Sequence, residues 1–312
     1  MNQRAKMHAL FGSLVLVQCL ASAIGAPAQK FTNLVNFKGT GGLDPGVLVQ
    51  GFDGNLYATD TYGGTNGWGT AFKVSLKGTF TILHSFCARQ RCSDGNDPLA
   101  VLFEAANGNF YSTTSTGGNY GAGTVFKITP HGSLTTLYSF RRCSALPCQD
   151  GNTPGAALIQ ATDGNFYGTT DRGGTYNRGT LFQITQYGHE RILHSFSSAG
   201  PVGTLLQATD GNLYGTKSYA NGSEGSIFKL DMSLRPFVET LPTSGEVGTK
   251  VIILGTDLTG ATFASFNGVA ATFKIISASE ITTNFPAGTT SGTIEVMTPS
   301  GTLSGNVVFR VP

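Results

Sequence analysis

Charge is what this chain most lacks. Asp, Glu, Lys and Arg make up only 12% of its 312 residues, about half the ~25% of an ordinary soluble domain, so solubility rests on Gly, Thr, Ser and Asn. The formal net charge is +2 and no run of Lys or Arg occurs, which leaves no electrostatic footprint for DNA or RNA. Apolar runs are short as well: past the first 28 residues none approaches the ~20 residues of a membrane helix. There is no Cys-x-x-Cys, no Gly-x-Ser-x-Gly elbow, no His-Glu-x-x-His and no P-loop. The zinc, hydrolase and nucleotide chemistries that announce themselves by motif are therefore excluded, and neither a metal nor a cofactor nor a catalytic residue is expected.

Glycine, by contrast, is plentiful. The 43 glycines show no three-residue register, so collagen is ruled out and many turns between short strands are implied. Residues 1–28 read as an export signal: Arg4 and Lys6 in a basic start, an apolar run from Ala9 to Ala21, then small residues ending at Ala28. The single cysteine of that stretch, Cys19, leaves with the signal. The other four form two like pairs, Cys87 with Cys92 and Cys143 with Cys148. Export favours oxidation, so each pair is expected as a local disulfide stapling a surface loop.

One short pattern then organises most of the chain. Asp53-Gly54-Asn55-Leu56-Tyr57 returns as Asn107-Gly108-Asn109-Phe110-Tyr111, Asp163-Gly164-Asn165-Phe166-Tyr167 and Asp210-Gly211-Asn212-Leu213-Tyr214, a period of roughly 50 residues. A repeat of this size is a supersecondary unit that must stack on its neighbours to bury its apolar side. Asp-Gly and Asn-Gly between apolar runs are strong hairpin signals, so these motifs are turns first. They lack the dense acidic ladder of a calcium loop.

Other landmarks keep the same register. Gly63-Gly64, Gly117-Gly118 and Gly173-Gly174 open a loop, and Gly69-Thr70, Gly123-Thr124, Gly179-Thr180 and Gly225-Ser226 start a third strand, as in Val125-Phe126-Lys127-Ile128. Its alternation predicts one buried face, with the lysines solvated. A fourth-strand pattern ends in Phe86, Phe140 and Phe196 and occurs once more before the first full repeat, as Phe31 to Phe37. That extra copy is expected to pair with Ile227-Phe228-Lys229-Leu230 and close a ring, a way of hiding sheet edges. The expected fold is thus all-β: a β-propeller-like domain of about four blades of four strands over residues 29–240, followed by an immunoglobulin-like β-sandwich over 241–312.

The repeats resemble the GloVer tandem repeat of exported bacterial proteins, through Asp163 to Thr170, Gly173-Gly174, Gly179 to Phe182 and His194-Ser195-Phe196. That resemblance implies a secreted or cell-surface protein of a bacterium and brings no catalytic residues with it. From Leu241 the pattern changes. Pro242 to Gly245, Gly248 to Gly255, Ala264 to Gly268, Ile281 to Pro286 and Gly292 to Val296 resemble an IPT/TIG domain, which implies an immunoglobulin-like sandwich. Short strands between turn residues favour the same architecture independently.

Candidate site residues are few. His84 and His194 share a register two before the strand-ending Phe, but Tyr138 holds it in another copy, which marks packing rather than acid–base work. Asp44, Asp94, Asp97 and Asp150 lie in loops leading to first strands and read as turn formers; a glycosidase would need two such carboxylates converging. The loops between second and third strands carry aromatics among glycines: Tyr62 and Trp68, Tyr120, Tyr176 and Tyr219. Rings held on rigid turns can stack on sugars or anchor a protein, so these are the expected ligand contacts. The reading is a non-enzymatic binding or adhesion scaffold whose partner is a carbohydrate or an envelope protein. The alternatives are a carbohydrate-active enzyme (glycoside hydrolase or lyase) with a TIG accessory domain, and a purely structural envelope protein.

Overall fold

Each Asp-Gly-Asn-x-Tyr run closes on itself. In the computed structural model, which describes residues 31–37, 42–142, 146, 150–218 and 224–312, the Asn55 amide donates to Asp53 Oδ1 at 3.0 Å and the Tyr57 hydroxyl donates to Asp53 Oδ2 at 2.7 Å. The same two bonds recur at Asp163 and at Asp210. In the second copy Asn107 stands for Asp and the direction reverses: its Nδ2 donates to the Tyr111 oxygen at 3.0 Å. The turn residue therefore also fixes the tyrosine four positions on, and with it the strand that follows.

Those strands form small antiparallel sheets. The first repeat contributes β1 (Val49–Gln50), β2 (Leu56–Asp60), β3 (Thr70–Val74) and β4 (Phe80–Ser85), and the second β5 (Phe103–Glu104), β6 (Phe110–Thr114), β7 (Gly121–Ile128) and β8 (Leu134–Arg141), each paired in sequence order. In the third repeat β9 (Gly151–Pro154) and β10 (Ile159–Gln160) both lie on β11 (Phe166–Gly173), followed by β12 (Thr180–Ile184) and β13 (Glu190–Ser195). The fourth has three strands, β14 (Pro201–Gln207), β15 (Leu213–Lys217) and β16 (Ser226–Leu230). One bulge recurs between third and fourth strands, at Ala71/Phe72, Val125/Phe126 and Leu181/Phe182.

The apolar cores lie between repeats. Tyr57 stacks on Phe110 at 4.2 Å, and Tyr111 on Phe166 at 4.0 Å. A second row runs through the strand-ending Phe: Phe86 meets Phe126, Phe140 meets Phe182 and Phe196 meets Phe228, edge-on at 5.2, 5.2 and 5.3 Å. Neighbouring residues on a strand point to opposite faces, so Phe126 packs back toward the first repeat while Val125 packs forward toward the third. This corrects the expectation of one buried face. The inner strands of the first three repeats are buried on both faces because a neighbouring repeat, or for the first sheet the Val35 and Phe37 side chains, covers each side, and Lys73, half-buried, donates Nζ to Pro130 O at 3.1 Å. Close approach also explains the Gly-Thr starts. Gly69, Gly123 and Gly179 adopt φ of +98°, +98° and +91° and abut Pro98, Pro154 and Pro201 of the following repeat, leaving no room for a Cβ.

The expected pairing of residues 31–37 with β16 is not found. These residues form no strand, and among the described residues β16 is bonded to β15 alone. The fourth-strand pattern in them nevertheless has a physical basis, for Phe37 sits edge-on to Phe72 at 5.4 Å, as Phe86 does to Phe126. Packing is satisfied where backbone pairing is not.

Beyond the repeats, β17 (Glu239–Leu241), β18 (Lys250–Leu254), β21 (Phe273–Ser277) and β22 (Glu280–Asn284) make one sheet in the order β17-β18-β22-β21. A second, β20-β19-β23-β24, is built from β19 (Phe263–Phe266), β20 (Val269–Ala270), β23 (Ile294–Thr298) and β24 (Gly301–Ser304). Val251, Ile253 and Ile281 of the first join Ala264, Phe266, Ile294 and Val296 of the second in one cluster with Phe285 and Phe309. This part touches the repeats at two turns: the Arg310 guanidinium lies 3.6 Å from the Phe52 ring centre, and the Thr209 and Thr256 hydroxyls meet at 3.0 Å. No helix among the described residues is long and apolar enough to cross a membrane.

If the seams between repeats carry the stability, Phe140→Ala costs roughly 3–5 kcal/mol in urea unfolding, as for a large core aromatic. Tyr167→Phe, which removes the hydroxyl's bond to Asp163 and the one it accepts from Gln183 Nε2, costs about 1.5 kcal/mol. A loss under ~1 kcal/mol for Phe140→Ala would place the stabilising core elsewhere.

Candidate functional site

At the seam between first and second repeats, and again between second and third, a buried carboxylate organises the loop. His84 lies edge-on to Phe86 and its Nε2 meets Asp94 Oδ2 at 2.9 Å; the amides of Ala88 and Arg89 donate to the same carboxylate. Tyr138 repeats the geometry on Phe140, donating its hydroxyl to Asp150 Oδ2 at 3.0 Å, where the Arg141 amide also donates. In the third repeat the loop is shorter, and buried Ala199 follows His194 in place of an acid. Asp94 and Asp150 are thus loop formers, as expected, but fully or nearly buried ones. The sulphurs of Cys87 and Cys92 lie at bonding distance within the loop that carries Arg89 and Asp94. Cys143 and Cys148 lie outside the described residues, as does the export signal at 1–28.

Across from Asp150, β13 presents an anomaly. Glu190 opposes Ile184 in the ladder, the place that Leu134 takes against Ile128 and Phe80 against Val74. Leu134 is buried and Phe80 packs on Phe37 and Phe72. A carboxyl has replaced a core hydrophobe. Its Oε1 is buried without a partner among the described residues. Burial, then the charge of Asp150, pushes the Glu190 carboxyl up to about 7, while the nearby Tyr138 hydroxyl works the other way. Burial pushes the Asp150 carboxyl and the Tyr138 hydroxyl up as well, and for Tyr138 the two acids add to it. Asp210, in the turn of the fourth repeat, shows the opposite: burial opposes it, but bonds from Asn212, Tyr214 and Lys229 hold it down at about 2.

Tyr138 faces a cleft of about 360 Å³ lined by Arg89, Ser93, Asn119, Tyr120, Thr136, Leu137, Ser139 and Arg141. The Arg141 guanidinium lies 5.3 Å from the Tyr120 ring centre, within cation–π range. Arg89 donates to the Leu134 carbonyl at 3.4 Å, and the Asn119 amide to the Ser139 hydroxyl at 3.3 Å. The floor is a strand and the walls are turns tied to it. An exposed aromatic plate beside two guanidinium groups can hold a flat, partly apolar molecule that bears negative charge. Among the described residues no three His, Cys, Asp or Glu side chains converge as a metal site would need.

Of the loop aromatics, Tyr62, Trp68, Tyr120 and Tyr176 are all about half exposed, at 52, 47, 51 and 56%. Tyr219 lies outside the described residues. They do not occupy one register. Tyr120 and Tyr176 stand two after the second loop glycine, where the first repeat has Asn66, which donates Nδ2 to the Phe86 and Cys87 carbonyls. Trp68 comes two positions later, where Ala122 and Arg178 stand. Only Tyr120 of the set lines the cleft. Sequence reasoning passed over Arg89, Arg141 and Glu190. A charge at a register that is Leu or Phe elsewhere was the available signal for Glu190.

The family model of the Gloeobacter/Verrucomicrobia repeat matches residues 23–228. No curated protein sequence matches the chain. Among solved structures, selenomethionine-substituted virginiamycin B lyase from Staphylococcus aureus is similar at 14% identity and a TM-score of 0.38, over 82% of this chain and 78% of that one. A streptogramin B lyase is similar at 17% and 0.37, over 82% and 76%. The periplasmic gluconolactonase of Pseudomonas aeruginosa is similar at 13% and 0.38, over 86% and 87%. At a TM-score this low none of these likenesses bears on ligand or activity.

Glu190 supplies a pH test. Its folded value lies above its ordinary 4.5, so folding favours the protonated form. That contribution is complete below pH 4.5 and is lost as the pH rises through about 7. Calorimetry should find the wild type losing melting temperature relative to Glu190→Gln across this window, and Glu190→Leu more stabilising at pH 8 than at pH 4. A constant offset between wild type and Gln variant at all pH values would show that the carboxyl titrates normally.

Proposed function

This chain belongs to the Gloeobacter/Verrucomicrobia repeat family, and on that premise we propose that it is an exported, non-enzymatic scaffold that binds an acidic carbohydrate at the surface or envelope of a bacterium. The repeats would serve as a β-propeller-like array of about four blades, and residues 241–312 as an immunoglobulin-like IPT/TIG module. The observation that carries the reading is the half-exposed Tyr120 ring with Arg141 against it and Arg89 in the same cleft. A sugar ring offers an apolar C–H face to stack on an aromatic, and a uronate carboxylate accepts from a guanidinium fork. The basic start and apolar run of residues 1–28 support export. Trp68, Tyr62, Tyr176 and Tyr219 would extend contact to a longer chain of sugars.

One observation favours a second reading, a carbohydrate-active enzyme. Asp150 and Glu190 lie behind Tyr138, which lines the cleft, and burial raises both carboxyls; glycoside cleavage uses a pair of carboxyls, one of them held protonated.

A polysaccharide array separates the two. Uronate-containing glycans should be retained over neutral ones, with retention weakened by salt. Tyr120→Ala should weaken binding about tenfold, ~1.4 kcal/mol, without moving the melting temperature, and Arg141→Gln should erase the preference for acid. Release of new reducing ends, abolished by Glu190→Gln, would establish the enzyme instead. If no glycan binds, the purely structural reading stands.

A further inference from the structure

The two ends of the repeat array are incomplete in complementary ways. At one end β16 is bonded to β15 only, so among the described residues its outer edge presents unpaired amides and carbonyls. Ile227 is 77% exposed there, whereas its counterparts Ala71, Val125 and Leu181 are buried beneath a fourth strand and a following repeat. Neither proline nor a bulge protects this edge, and Lys229 is the only charge on the strand. Such edges accept strands.

At the other end, Leu34 to Phe37 are seated on the first repeat as a fourth strand sits on the repeat after it. The Leu34 carbonyl abuts Gly78 just as the Leu83 carbonyl abuts Gly132 and the Leu137 carbonyl abuts Gly188. Phe37 meets Phe72 and Phe80 at 5.4 and 5.3 Å. The segment has the packing of a fourth strand and no strand to pair with.

We propose that β16 of one chain takes up the Leu34–Phe37 segment of a second copy as its missing fourth strand, so that the protein assembles head to tail with itself. Both halves of the contact are present in one chain and are not paired with each other among the described residues. The register is set by the three complete sheets, which all place the third-strand residue after the Thr opposite the residue two before the terminal Phe, as in Val125 with Tyr138. Transferred to the ends, this sets Val35 opposite Ile227 and Asn36 opposite Ser226. The contact is heterologous, each copy using a different patch, so it continues into a closed ring or a longer array of copies.

The test uses full-length secreted chains carrying either Val35→Cys or Ile227→Cys, mixed and treated with a short thiol cross-linker. A covalent dimer that forms in the mixture and not in either variant alone is the expected result. Light scattering should show a mass that rises with concentration, and Ile227→Lys should return it to the monomer with an unchanged melting curve. Cross-linking within a single chain of the double variant, yielding only monomer, would show closure within one molecule and overturn the proposal. So would a monomer at every concentration, or an assembly that survives Ile227→Lys.

Discussion

Two aromatic contacts hold the repeat region together: a strand-ending phenylalanine set edge-on against the next third strand at all three seams, and at the first two a tyrosine stacked on the aromatic of the next repeat, where the third has Tyr167 on Leu213. No single sheet here could bury either face alone. With burial on both faces the inner strands lose the solvent side that a lone sheet would keep, and each repeat is stable only as its neighbours are. The turn serves the same contact, since the side chain of Asp53 or Asn107 bonds the hydroxyl of the tyrosine that stacks.

The seams also decide where chemistry can sit. Loops that cross from one repeat to the next must enter a packed interface, and their backbone amides need acceptors there. Asp94 and Asp150 supply them, at the cost of desolvating a carboxylate in a chain with few charges to compensate. Glu190 adds a second acid beside Asp150 at a position that is apolar in the first two repeats. A cleft with an exposed aromatic and two guanidinium groups opens next to that pair. The polar seam and the cleft share Tyr138.

The ends of the array show the same rule by its violation. At the start, Phe37 satisfies the aromatic contact without a backbone ladder; at the end, β16 has a ladder on one side and an exposed Ile227 on the other. Side-chain packing and strand pairing are separable requirements. A full repeat meets both, and a terminal one meets half.

Much of this was legible in the residues alone. The period, the turns, the four strand positions and the change of pattern near Leu241 all follow from local rules, because positive φ at Gly54, capping by Asp53 and alternation along a strand involve neighbours in sequence. The Cys87–Cys92 loop is local for the same reason. What lay beyond reach was every contact between residues some fifty positions apart. The sequence shows alternation but not that the second face is also covered, so Lys73 read as solvated. It shows a fourth-strand pattern at Phe31 to Phe37 but not which of two partners, ladder or core, that pattern meets. It shows aromatic loops, whereas the turn geometry of each repeat decides that Tyr120 lines a cleft with Arg141 and that Trp68 stands at another register. Local preference writes the repeat; only the stacking of repeats, which brings distant side chains into one dielectric environment, makes Glu190 a half-buried acid with one oxygen out of solvent and sets Arg89 and Arg141 in one cleft.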